Sequence, residues 1–309
     1  MIVVFVSSRG GTRSPAARPP RRARAWVLAV LLLVLCACER TPAPARPEVR
    51  ATPAWQGGLV GVATWNMCGV DAWGCAETGG RAGKRSALAR LAQRPSVHVV
   101  LLQEVCRPDL SAALAALGSR WHSAWLPYHY AGENGRLTGV PCDREDGDAR
   151  AGLAVLADRP LSRVAPVTTP RPTTGLRRGA VCATVAAYRL RVCDAHLTPL
   201  GSDHAHPHRE YRAEELRALL GAAGGGRFVY GGDFNLNPPG RANAASGVWP
   251  RAAYRTHREC DEGRERPRPT HSSGHKLDYL FTASPRAGCG VFETGASDHR
   301  ALVMTVRLP

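Results

Sequence analysis

Six places in the chain carry acid–base or metal-binding side chains at the ends of apolar runs. They are Asn66, Glu104, His196, Asp233 with Asn235, Asp278, and Asp298 with His299. Carboxylates bind hard cations and accept protons, carboxamides donate to oxyanions, and imidazoles exchange protons near neutral pH. In open α/β folds the strand ends and the loops beyond them make the ligand site. One such residue is ordinarily a cap or a turn, whereas six such ends with no obvious capping role point to a shared site. The residue types suit hydrolysis of a phosphoester, which needs an activated water, a neutralised phosphoryl group and a protonated leaving oxygen. Mg2+ takes one or two protein carboxylates plus water and phosphate, which makes Glu104 the first ligand, with Asn66 supporting it and Asp298 nearby. Asp278 and Asp298 suggest a carboxylate-oriented imidazole at His299, and His196 would supply a second donor.

The stretch Gly231–Pro239 concentrates these features. Arg227–Tyr230 reads as the end of a buried strand, and the paired glycines predict a tight turn. Asp233 and Asn235, two apart on an extended segment, are expected to project together toward one target.

The positioning elements alternate between strand and helix. Strands are expected at Leu59–Trp65, Val97–Leu102, Gly152–Leu156, Val181–Val185, Arg189–Cys193, Phe228–Tyr230, Leu277–Phe281 and Ala301–Val306. The run 97–102, apolar except for His98, marks a strand buried on both faces. Helices are expected over Lys84–Gln93, Leu110–Leu117 and Glu210–Leu220, the last with Pro207 near its first turn. The alternation predicts an α/β fold. The irregular region 121–148 holds Trp121, Trp125, Tyr128 and Tyr130, which read first as packing over a loop held by Cys142 and second as a substrate clamp. Residues 240–274 form a long Arg- and Pro-rich excursion. Its arginines Arg264, Arg266 and Arg268 read as a solvated loop, as do His204, His206 and His208. Lys276, one of two lysines, is expected either to point at the site or to guard a strand edge.

The formal charge of +16 is inflated by an arginine-rich leader; beyond residue 38 it is +10, from 35 basic and 25 acidic residues. That balance favours anionic partners. Trp26–Leu35 is an apolar run too short to span a bilayer and reads as a signal-peptide core. Residues 1–38 are therefore assigned to a signal peptide, 39–55 to a disordered tether and 56–309 to the functional domain. Leu35-Cys36-Ala37-Cys38 resembles the bacterial lipobox, with Cys38 as the lipidated residue, though Cys36 is atypical there; a plain secretory signal is the competing reading. Export to the bacterial cell surface or medium is expected, with membrane contact only through that anchor, as a monomer. Eight cysteines remain, an even number that suits disulfides in an exported chain. Pairing of Cys68 with Cys75, and of Cys182 with Cys193 across facing strands, is expected.

Thr64-Trp65-Asn66, Leu102-Gln103-Glu104-Val105, Asp194-Ala195-His196-Leu197, Gly232-Asp233-Phe234-Asn235, Lys276-Leu277-Asp278-Tyr279 and Ser297-Asp298-His299 resemble the ordered motifs of the endonuclease/exonuclease/phosphatase superfamily, the deoxyribonuclease I-like fold. The resemblance implies a four-layer α/β sandwich: two mixed β-sheets packed face to face with helices outside. It implies a Mg2+-dependent phosphoesterase, with Mn2+ or Ca2+ as substitutes. Carried over by motif, Asn66, Glu104 and Asp298 belong to the metal site. Asp233 and Asn235 organise the attacking water and phosphate, Asp278 pairs with His299, and His299 and His196 are the catalytic imidazoles. Which imidazole acts as base stays open. Arg178 is similar to a phosphate-contacting arginine. His196, where the abasic-site repair branch has Asn, leans away from a repair enzyme. The expected activity is a nuclease on extracellular nucleic acid. The alternatives are an inositol-phosphate phosphatase or sphingomyelinase-like phospholipid phosphodiesterase, and a non-catalytic binding module.

Overall fold

A computed structural model describes residues 57–143, 149–240, 244–264 and 266–309. The expected leader with Cys38 and the tether at 39–55 lie outside them. In chain order the elements are β1 (Gly58–Asn66), α1 (Arg81–Ala92), β2 (Val97–Cys106), α2 (Arg107–Leu117), β3 (His122–Pro127), β4 (His129–Ala131), β5 (Leu137–Gly139), β6 (Ala151–Ala157), β7 (Leu161–Pro166), β8 (Gly175–Arg177), β9 (Gly179–Val185), β10 (Leu190–His196), α3 (Arg212–Ala223), β11 (Phe228–Asp233), β12 (Arg258–Glu259), β13 (Asp278–Thr282), β14 (Arg286–Phe292) and β15 (Ala301–Leu308).

Two six-stranded sheets carry the fold, in the orders β14-β15-β1-β2-β6-β3 and β12-β13-β11-β10-β9-β7. Both are mixed: β1 runs parallel to β2 and antiparallel to β15, while β10 runs parallel to β11 and antiparallel to β9. Alternate side chains go to opposite faces. Val60, Val62, Val99 and Leu101 join Val181, Ala183, Val192 and Val229 between the sheets. Ala63, Trp65, Val100 and Leu102 face outward under Leu88 and Leu91 of α1 and Leu110 of α2. Leu216 and Leu219 of α3 cover Tyr230 and Phe281 on the far side. The result is the expected helix–sheet–sheet–helix sandwich, in which each buried Leu or Val contributes about 1.5–3 kcal/mol.

Cys182 and Cys193 stand opposite one another in the β9–β10 ladder and are bonded, as are Cys68 and Cys75. Cys106–Cys142 and Cys260–Cys289 complete four disulfides among the described residues.

Three local expectations change. The paired glycines do not turn the chain: they lie inside β11, and a Cβ on Gly232 (φ +130°) would stand 1.8 Å from the Ala195 carbonyl oxygen. Close approach of β10, not a turn, demands glycine there. Helix α3 starts two residues late, and Pro207 lies in the loop before it. The Tyr211 hydroxyl is drawn to buried Asp203 at 2.5 Å, and the Glu210 carboxylate accepts the Arg212 N–H at 2.9 Å. The irregular region 121–143 contains β3, β4 and β5, and the edge strands β7 and β14 were not expected. The side chains of β7 are largely exposed and those of β14 exposed or half-buried, so no clean apolar alternation marks them.

Candidate active site

Parallel pairing sets Asn66 beside Gln103 at the ends of β1 and β2. Leu102 pairs with Ala154 but Val105 with Gly152, so β2 carries one extra residue at this point. Glu104 occupies that bulge with φ +52°, a left-handed conformation costly for a residue with a Cβ. The distortion aims its carboxylate at the rim between the sheets. There Asn66 Nδ2 donates to Glu104 Oε1 at 3.1 Å and to Asp233 Oδ2, from the other sheet, at 3.0 Å. One carboxamide joins the two sheets. Its Oδ1 accepts the Cys68 N–H at 2.9 Å, which fixes the carboxamide so that its Nδ2 orients both carboxylates.

Asp233 Oδ2 is the convergence point. His196 Nε2 lies 3.4 Å from it and His299 Nε2 3.8 Å. His299 Nδ1 is 2.8 Å from Asp278 Oδ2. Asp233 Oδ1 accepts the backbone N–H of Asn235 at 2.9 Å, which bends the chain and leaves Asn235 at φ +47°. The segment is therefore not extended, and the expected shared projection of Asp233 and Asn235 gives way to a side-chain-closed turn. Asn235 Nδ2 instead donates to the Leu197 carbonyl at 3.1 Å, fixing the residue after His196.

The environment separates these groups electrostatically. Burial raises Glu104 to about 6, against the pull of the Asn66 hydrogen bond and the Arg178 charge. Burial also raises Asp233, opposed by His299. Burial, then the Arg178 and His299 charges, push His196 well below its ordinary value, so this ring is neutral. Burial acts the same way on His299, but Asp278, Asp233 and Asp298 together outweigh it and carry that ring to about 10.

Arg178 follows β8, its guanidinium carbon 5.3 Å from the Trp73 ring centroid and its Nη1 3.4 Å from Ser202 Oγ. Its Nε is buried without a hydrogen-bond partner. Asp298 is partly exposed; its Oδ2 lies 3.2 Å from His271 Nε2 and its Oδ1 accepts the Ser297 hydroxyl. Ligand atoms within 4.8 Å of one another form the sets His271, Asp298, His299 and Asp233, Asp278, His299. Among the described residues Glu104 comes together in this way only with the sulfurs of Cys68 and Cys75, which are bonded to each other and unavailable. A single oriented carboxylate at Glu104 fits the oxygen preference and sparse protein ligation of Mg2+.

Three residues were not assigned to the site from sequence. Tyr128 is fully buried with its hydroxyl 2.9 Å from His196 Nδ1, both packing and part of the site. His271 stacks edge-on to His299 at 4.6 Å. Lys84, buried in α1, donates to the Met67 and Ala296 carbonyls and the Thr78 hydroxyl, tying together the loops around Glu104 and Asp298. Its rarity in an arginine-rich chain was the available signal. The other lysine, Lys276, neither faces the site nor guards an edge: it is buried 3.2 Å from Glu259. Arg268 also departs from the solvated reading, pairing with buried Asp261 at 2.7 Å. His204, His206 and His208 are exposed.

A model of the Endonuclease/Exonuclease/phosphatase family matches residues 63–299, from inside β1 through His299. The chain belongs to the endonuclease/exonuclease/phosphatase family. Members of this family are phosphoester hydrolases, typically metal-dependent. Among solved structures, a family protein from Beutenbergia cavernae is 21% identical with a TM-score of 0.59, covering 81% of this chain and 72% of that one. One from Leptotrichia buccalis is 15% identical with a TM-score of 0.56, over 80% of this chain and 99% of that one. The human nocturnin catalytic domain, solved with bound sulfate, is 17% identical with a TM-score of 0.51, over 84% and 100%. These likenesses show a shared fold. No curated protein sequence matches the chain.

Proposed function

We propose that the chain is an exported, Mg2+-dependent phosphodiesterase that hydrolyses extracellular nucleic acid. The observation that carries this reading is the Asn66 carboxamide bridging Glu104 and Asp233, with both imidazoles directed at Asp233 Oδ2. Glu104 would hold the cation, which when bound would supply positive charge to the phosphoryl group. Asp298 would add a second carboxylate to that site. Asp233 orients the attacking water and takes its proton as the water oxygen bonds to phosphorus, while the ester oxygen departs and is protonated from surrounding water. His299, kept protonated above Asp278, stabilises the charge that builds on the phosphoryl oxygens. His196 donates to the phosphate as a neutral ring, and Asn235 holds the turn that presents Asp233. Arg178 offers its guanidinium to the phosphate.

The +10 charge beyond residue 38 favours a polyanionic substrate. Four disulfides and the apolar run at 26–35 favour export, with Cys38 as a lipid anchor. The test is incubation with plasmid DNA and Mg2+, beside Glu104→Ala and His299→Ala variants. Nicking by the wild type alone is expected. Intact DNA with every divalent ion, or equal nicking by the variants, would overturn the reading. Phosphocholine or inorganic phosphate released from a panel of small esters would move the substrate to lipid headgroups or phosphomonoesters.

A further inference from the structure

Tyr128 sits in the short connection between β3 and β4, with no part of its side chain exposed. Its ring fills the core between the sheets, a task phenylalanine would perform equally well. The hydroxyl is the part that needs explaining. It accepts the backbone N–H of Glu104 at 3.1 Å and lies 2.9 Å from His196 Nδ1. The two rings meet edge to face at 71°, which aims the phenolic oxygen at that nitrogen.

A phenol has one proton to give. With the Glu104 amide bound to a lone pair, His196 Nδ1 is the acceptor that the hydroxyl meets among the described residues. Nδ1 must then be unprotonated, and the neutral ring carries its proton on Nε2, 3.4 Å from Asp233 Oδ2. The opposite tautomer would set an Nε2 lone pair against the Asp233 carboxylate and leave the phenolic proton without a partner, two unfavourable contacts in a buried site. We propose that Tyr128 is a positioning residue that holds His196 in the Nε2–H tautomer, so that its proton faces Asp233 and the substrate phosphate. The part concerning phosphate rests on the function proposed above; the tautomer itself does not.

The hydroxyl also joins the two halves of the site. Glu104 belongs to the first sheet and His196 to the second, and Tyr128 is hydrogen-bonded to both. A side chain so placed could serve Glu104 instead of His196, and a double-mutant cycle separates these roles.

The experiment uses the full chain, its Tyr128→Phe variant, and both in a His196→Ala background. Long-range 1H–15N spectra of the histidine rings, with His196 assigned by its loss in His196→Ala, should show the Nε2–H form in the wild type and a tautomer mixture in Tyr128→Phe. With Mg2+ and duplex DNA, Tyr128→Phe should lower kcat about tenfold or more and leave KM within about twofold. In the His196→Ala background the same change should cost less than about twofold. A wild-type His196 protonated on Nδ1, or on both nitrogens, overturns the proposal even if Tyr128→Phe does not fold. So does an undiminished kcat, or an equal loss in both backgrounds accompanied by a higher Mg2+ requirement, which would assign the hydroxyl to Glu104. The spectra need no turnover, so an inactive wild type would refute the proposed function and leave the tautomer assignment standing or falling on its own.

Discussion

Asp278→Asn removes one negative charge beneath His299 and preserves the side-chain shape. The pair is buried, Nδ1 and Oδ2 are 2.8 Å apart, and Asp278 leads the groups that raise His299 to about 10 against the opposing effect of burial. A unit charge about 4 Å away at an effective dielectric of about 20 is worth about 4 kcal/mol, or about three pKa units. His299 in the variant should therefore titrate near about 7. At pH about 8 only about a tenth of the rings would stay protonated, and cleavage should fall about tenfold, recovering toward pH about 6. The stability sign follows from a folded pKa above the unfolded value of 6.5: the pair's contribution is fully present below 6.5 and is lost as pH rises through about 10. The urea midpoint of the variant should thus trail the wild type most below pH 6.5, with the gap closing above about 10. Histidine NMR titration and rate profiles between about pH 5 and pH 9 provide the check. A variant His299 that still titrates above about 9, with an unshifted rate profile, would refute the reasoning.

Cations need Glu104 deprotonated, and burial holds it near about 6, so Mg2+ affinity should rise about tenfold per pH unit below that value and level off above it. Calorimetric titration reads this directly; flat affinity across about pH 5 to 7 would contradict it. Cys75 Sγ packs 3.6 Å from Glu104 Oε2 and the Cys68 amide holds Asn66, so Cys68→Ser/Cys75→Ser should raise half-saturating Mg2+ about tenfold. Cys182→Ser/Cys193→Ser, away from Glu104, should lower the urea midpoint and leave half-saturating Mg2+ within about twofold. Lys276→Met leaves Glu259 buried without its cation and should cost about 3–5 kcal/mol of stability, which Glu259→Gln in the same chain recovers in part; urea melts measure both.

The layered fold was legible because its central strands are apolar on nearly every position of both faces: 97–102, broken only by His98, and 228–230 announce themselves by composition. Edge strands β7 and β14 were silent for the opposite reason, since solvent accepts any pattern there. Strand-end residues could be picked from sequence because chain order alone lists Asn66, Glu104, His196, Asp233 and His299. How they meet was not legible. The bulge that turns Glu104 inward leaves no periodic trace, and the bend after Asp233 depends on its own carboxylate capturing the Asn235 amide. Tyr128 looked like packing because it is packing; where its hydroxyl goes depends on how the two sheets meet. Lys276 and Lys84 are equally rare, yet one neutralises a distant carboxylate and the other ties the loops of the site.

The central claim is that Glu104, oriented by Asn66, makes cleavage depend on a divalent cation. The direct measurement is the rate of cleavage of an end-labelled DNA duplex against Mg2+ concentration for the wild type, Glu104→Ala and Asn66→Ala. The wild type should saturate with Mg2+ and stop on chelation. Glu104→Ala should lose about a hundredfold or more, and Asn66→Ala should need about tenfold more Mg2+. A rate indifferent to chelation, or variants that match the wild type at every Mg2+ concentration, would contradict it.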